Sequence, residues 1–235
     1  MATSAETIRK ANMAYLNEHG FKPADWLPLL PEAGTISLAG ELGGVLRPTE
    51  ELVRRYMALF GVFAWGSAPP EMEESISSFL HQNALRDVLA ADELPIVDLP
   101  KAEATAEYQG RVGWRLENMW ALAWVLGFTP PPSAVTGQLE EDVSRPMMAH
   151  FLPDFSVTAD ALLAKANVQS NEEVVQLHDR FYCAHNAVRS AQVGGNTDPP
   201  DFDPIGAGGA IHERRHSLTW ALSPGVSWDD TALDT

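Results

Sequence analysis

The sequence predicts a mainly α protein, a single compact multi-helix domain with a long buried central helix. Three observations predict it. Apolar residues recur at helical spacing between clear start and stop signals, period-two apolar runs are few, and the stretch from Glu103 to Gly127 is apolar on every side in its second half. The 235 residues, 45% hydrophobic and 20% charged, are enough for one substantial core or two small ones. The expectation is one domain over 1–235, with an N-terminal half of about 1–100 and a C-terminal half of about 101–235 that carries the motifs.

The first helix is expected over Ala5 to His19, where Ile8, Ala11, Met13, Tyr15 and Leu16 form the apolar stripe and Gly20 supplies a stop. The Pro- and Gly-rich passage "FKPADWLPLLPEAGTISLAGELGGVLRP" is too apolar for a free linker. It should pack as irregular chain, with a short hairpin around Thr35 to Leu38. Pro48-Thr49-Glu50-Glu51 starts the next helix, and another is expected from Pro70 to near Ala91. The 103–127 pattern ends at "FTPPPSAVTG", because a proline run cannot continue a helix. Helices around Gln138 to His150 and Thr158 to Ala166 follow. Ser170 or Asn171 then caps "EEVVQLHDRFYCAHNAVRSAQV", with Glu172 and Glu173 where the helix dipole favours them. Residues 194–209 read as a long loop before a last helix over Ala210 to Leu222.

Composition excludes several classes. A formal net charge of −16, from 32 acidic and 16 basic residues, opposes binding to a polyanion, so nucleic acid is not the expected partner. The same field favours encounter with a basic protein. The most apolar segment, Met119 to Phe128, is about half the roughly 20 residues that a membrane span needs. No membrane association is expected. No secretory signal is visible at the N-terminus, which makes cytoplasm the expected location. The single cysteine, Cys183, reads as a buried thiol.

One motif carries catalytic chemistry. His212, Glu213 and His216 are spaced H-E-x-x-H, which puts two imidazoles on one helical face with a carboxylate between them to polarise a metal-bound water. Three points weigh against zinc. Thr219 and Leu222 stand where a metzincin continuation needs Gly and a third His. The glycines at 206, 208 and 209 put His212 in the first turn of its helix, and Arg214 and Arg215 put cationic charge beside the site. The motif therefore reads as structural, with a zinc site as the alternative and no cofactor as the main expectation.

The string "HERRHSLTWAL" followed by "SWDDTALDT" resembles the end of an uncharacterised bacterial family, domain-of-unknown-function family 4272, whose members tend to show E-R-R-x-A-L-x-W and then W-D-D. "WRLENMWALAWVLGF" from Trp114 is similar to the family's W-R-x-E block and W-A-L-G run, although this chain reads Trp124-Val125-Leu126-Gly127. "YCAHNAVRSA" also fits a family helix ending in Val-Arg. The resemblance brings no activity. It implies that Glu213, Arg214 and Arg215 are the older pattern and that His212 was added to it.

Glu117, Trp120 and Trp124 share one face of the central helix, and a lone buried carboxylate there would be costly. With the resemblance as guide, Arg189, Arg214 and Arg215 are its expected partners. At least one of Arg214 and Arg215 is expected to be buried and paired with a carboxylate of Glu117, Asp229 or Asp230. Trp228-Asp229-Asp230 should dock the C-terminus. His178 and His185 read as satisfied core residues. The glycines at Gly206 to Gly209 could alternatively open a helix that holds a small anion. Taken together, these residues predict a non-enzymatic binding protein that neutralises or scaffolds a basic protein partner. The alternative is a zinc-dependent hydrolase with His212 and His216 as ligands and Glu213 as base, and a third reading is a small-anion binder.

Overall fold

The computed structural model describes residues 4–29 and 44–234. The hairpin expected around Thr35 to Leu38 lies outside the described residues. Within them the chain forms ten α-helices and no strand: α1 (Ala5–Glu18), α2 (Thr49–Ser67), α3 (Glu73–Gln82), α4 (Leu94–Asp98), α5 (Lys101–Tyr108), α6 (Trp114–Val125), α7 (Glu141–Met148), α8 (Ala159–Leu163), α9 (Asn171–Gln192) and α10 (Gly206–Ala221). Single 3-10 turns lie at Pro70–Met72 and Leu85–Val88. No helix among the described residues is long and apolar enough to cross a membrane.

The chain divides into two compact units, each discontinuous in sequence. The first comprises residues 1–47, 132–138 and 169–235, and the second 48–131 and 139–168.

In the first unit the long buried central helix is α9, 22 residues, packed against both α1 and α10. Ser170 caps it in a full capping box with Glu173, so two of its first-turn N–H groups are satisfied by side chains. Ser4 caps α1, and Gly20 takes the left-handed conformation (φ +85°) that turns the chain away from its end. Polar groups tie α1 to α9. Asp179 accepts from Arg9 Nη2 at 2.7 Å and from Asn12 Nδ2 at 3.0 Å, and Arg180 Nε donates to Asn12 Oδ1.

The last helix begins four residues earlier than its sequence suggests. Gly206 to Gly209 form its first turn, with the Gly209 N–H on the Ile205 carbonyl. The reason is packing: a Cβ at Gly208 would lie 2.5 Å from Val188 Cγ1 of α9, so the missing side chain lets the helices approach closely. His212 thus sits in the second turn, which removes the objection that it is on a frayed end.

In the second unit α2 is buried along most of its length and packs against α3, α4, α5, α6 and α8. Phe60 is its centre, stacked on Phe151 at 4.0 Å and edge-on to Phe79 at 6.3 Å. Arg55 of α2 makes a two-pronged ion pair with Glu93 at 2.7 and 2.8 Å, both side chains almost fully buried. Two expected helices are interrupted here. The 70–91 segment breaks at Ala84, which is left-handed (φ 48°). Asn83 just before it donates to the carbonyls of Phe79 and Val157 and accepts from Ala159 N, contacts a continued helix would not permit. The 103–127 segment breaks after Tyr108, whose carbonyl receives both Arg111 N and Val112 N. The part buried all round is α6, from Glu117 to Val125.

Candidate functional site

The titratable side chains singled out by sequence gather where α9 meets α10. The helical register of α9 puts His178, Tyr182 and His185 on the face that α10 covers with Arg215 and Thr219. Arg215, 3% exposed, is the centre. Its Nη1 donates to His185 Nδ1 at 2.6 Å and to the Leu233 carbonyl at 3.1 Å, and its Nη2 donates to the Asp234 carbonyl at 2.9 Å. Its guanidinium carbon lies 4.8 Å from the centroid of Tyr182, and Arg9 stands 5.4 Å from the same ring. Burial pulls Arg215 down to about 10, which leaves it protonated at neutral pH.

That cation fixes the tautomers around it. Because a guanidinium only donates, His185 Nδ1 must be an acceptor and its proton must sit on Nε2. That N–H faces His212 Nδ1 at 3.3 Å, so His212 in turn carries its proton on Nε2. Burial, then the positive charge of Arg215, pushes His185 down to about 3, with His212 and Arg189 adding to the effect. His212 is lowered by burial too, against the opposing pull of Glu213. His178 donates from Nε2 to Thr219 Oγ1 at 2.9 Å, since that hydroxyl spends its own proton on the Arg215 carbonyl, and burial pushes it to about 3. His178 and His185 are thus satisfied core residues.

The H-E-x-x-H residues face different partners. His216 Nε2 donates to the Trp228 carbonyl at 3.1 Å, and its ring meets Trp228 edge-on at 4.3 Å. His212 turns instead to His185. Among the described residues no three His, Cys, Asp or Glu side chains form a metal-binding group. In this arrangement both histidines carry a proton on Nε2 and are held by partners other than each other.

Arg214 is fully buried and donates to the carbonyls of Ser133 and Gly137 at 2.8 and 2.6 Å, pinning the 132–138 segment of its own unit. Both motif arginines are therefore buried as expected. For Arg215 the acceptors are a histidine nitrogen and two main-chain carbonyls, not a carboxylate of Glu117, Asp229 or Asp230. Asp230 is engaged by its own turn, accepting from Ser227 Oγ at 2.6 Å. Trp228 docks the C-terminal segment through His216 and, at 5.4 Å, Trp220. Asp229 follows it on the exposed side of that turn. Arg189 is exposed and donates to Gln192 Oε1 at 2.7 Å, so it acts on the histidines only through its charge. Glu117 belongs to the second unit, where its Oε1 accepts from Leu139 N at 2.7 Å. Gly206 to Gly209 form the first turn of α10 rather than a loop. Asp203, whose Oδ1 accepts the Ile205 N–H at 2.9 Å, already brings a carboxylate to that helix end.

Sequence reasoning missed Arg47, whose Nε and Nη2 donate to the Trp220 and Ser223 carbonyls at 2.7 and 2.6 Å while its guanidinium covers the Trp220 ring at 4.1 Å. A cation closing the C-terminal end of α10 is favoured by the helix dipole. Its distance from α10 in sequence gave no signal. Cys183 is buried, and burial together with Asp179 pushes its thiol up to about 12, which leaves it inert.

Among families, the one described as a domain of unknown function (DUF4272) matches residues 9–231. No curated protein and no solved structure matches the chain.

Proposed function

The chain belongs to the DUF4272 family, and we propose that it acts by binding rather than by catalysis, taking a basic protein as its partner. The observation that carries this reading is charge: 32 acidic residues against 16 basic ones give a formal net charge of −16, a field that accelerates encounter with a cationic surface. The chemistry-bearing side chains of α10 support it in a second way. Arg214, Arg215, His212 and His216 are spent on holding α9, α10, the 132–138 segment and the C-terminal segment together. The alternative, a zinc-dependent hydrolase with Glu213 as base, requires His212 and His216 to turn from these partners towards one metal ion.

The test is retention of proteins from the native host on the immobilised chain across a salt series, followed by affinity measurement with the purified partner. A basic protein whose affinity falls as salt rises is the expected result. Recovery only of acidic proteins or nucleic acid would overturn it.

A further inference from the structure

The second unit holds a cleft of about 280 Å³, lined by Asp92, Ile96, Tyr108, Arg111, Val112 and Arg115. It exists because the 103–127 segment is broken. The turn after Tyr108 opens a gap beside α4, and Tyr108, Arg111, Val112 and Arg115, spaced i, i+3, i+4 and i+7, form one wall opposite Asp92 and Ile96.

The two arginines of this wall are used differently. Arg115 is fixed, with Nη2 2.5 Å from Asp92 Oδ2 and Nε 3.3 Å from Glu93 Oε1. Arg111 is not. Among the described residues its guanidinium has no hydrogen-bond acceptor, and its nearest carboxylate, Glu107, is 4.0 Å away. It lies over the Tyr108 ring at 4.8 Å, a stacking that orients the guanidinium while leaving its edge N–H groups unspent. At the cleft two guanidiniums, Arg111 and Arg115, stand with two carboxylates, Asp92 in its lining and Glu107 beside Arg111. In a chain of net charge −16 a locally balanced patch is much less hostile to an anion than the surface elsewhere.

We propose that this cleft binds a compact oxyanion, a carboxylate or a phosphate, received two-pronged by Arg111 between the apolar side chains of Ile96 and Val112. A guanidinium edge matches the two oxygens of either group. The volume sits near the lower end of small-molecule sites, roughly 300 Å³, which limits the ligand to a small molecule or a single anionic group.

Titration of the nitrogen-15-labelled protein with sodium benzoate, sodium phosphate and the neutral control benzamide tests this. Saturable shifts of the Arg111 Nε and Val112 amide signals are expected with benzoate or phosphate and not with benzamide, and the responding salt identifies the anion class. Arg111→Ala should abolish saturation and Arg111→Lys should weaken binding severalfold. Because Arg111 is exposed, both variants should keep the wild-type spectrum outside the cleft. Scattered, unsaturating shifts with both salts, or unchanged binding in Arg111→Ala, would overturn the proposal.

Discussion

Arg215 Nη1 lies 2.6 Å from His185 Nδ1, and this one contact sets the proton positions of two histidines in series. Of the two histidines in a motif that reads as metal-binding, the neighbouring arginine makes His212 an acceptor at Nδ1, while His216 donates to the Trp228 carbonyl.

The first prediction follows from that series for His212 and from the Trp228 carbonyl for His216. His212 and His216 should both show a proton on Nε2 in nitrogen-15 spectra at neutral pH. Zinc added at equimolar concentration should leave their signals in place. Tight binding of one zinc per chain, lost in His216→Ala, would refute the assignment.

Both motif arginines should be stabilising. Arg215→Ala leaves His185 Nδ1 and two carbonyls without a donor, and Arg214→Ala does the same to the 132–138 carbonyls. An unsatisfied buried group costs about 1 to 3 kcal/mol. Each variant should therefore lose at least about 2 kcal/mol in urea denaturation of the first unit. Losses under about 1 kcal/mol at both positions would mean that the arginines act as surface residues do.

Acid should destabilise the first unit early. His178 and His185 are held near 3, below the ordinary histidine value of 6.5, so the unfolded chain binds protons that the folded chain refuses. Stability is full above 6.5 and falls as pH drops from 6.5 towards 3. One refused proton corresponds to about 1.4 kcal/mol per pH unit, and two to about 2.7 kcal/mol. Denaturation at intervals from pH 7 to pH 4 measures the slope, and His178→Gln should reduce it by about half. A flat profile across that range would show that neither histidine is held neutral.

The ion pairs of the second unit should differ sharply. Glu93→Gln strands the buried charge of Arg55 and should cost about 3 to 5 kcal/mol, whereas Asp98→Asn, in the exposed pair with Arg86, should change stability far less. Denaturation of the two single variants decides it, and equal losses would contradict the burial difference.

What could be read from sequence follows from locality. The caps at Ser4 and Ser170, the stop at Gly20 and the all-round apolar face of α6 are short-range signals, and they place those helices closely. The burial of Arg214 and Arg215 was legible because charges beside Leu218 and Trp220 on a packed helix have little room to reach water. The carbonyl acceptors at Ser133, Gly137 and Leu233 were not legible, because main-chain groups carry no residue-type signature. The break after Tyr108 was hidden because residues 108–115 keep helical spacing through it.

The start of α10 was misread for a different physical reason, and it yields the last prediction. Four residues containing three glycines resemble a loop, since glycine has the greatest backbone freedom to lose in a helix, about 1 kcal/mol relative to alanine. At Gly208 that loss is offset by closeness to α9. Alanine there would gain helix propensity and yet place its Cβ 2.5 Å from Val188 Cγ1, closer than such atoms can sit. Overpacking of this kind costs about 1 to 3 kcal/mol, so Gly208→Ala should be destabilising despite the better helix former. Shortening the opposing side chain should relieve the clash. In the Gly208→Ala, Val188→Ala double variant the new methyl fills space that the valine vacated, and the loss should be smaller than the sum of the single losses by at least about 0.5 kcal/mol. Additive losses in that cycle would mean that the helices are not in contact at this point, and the packing reason for the glycine would fail.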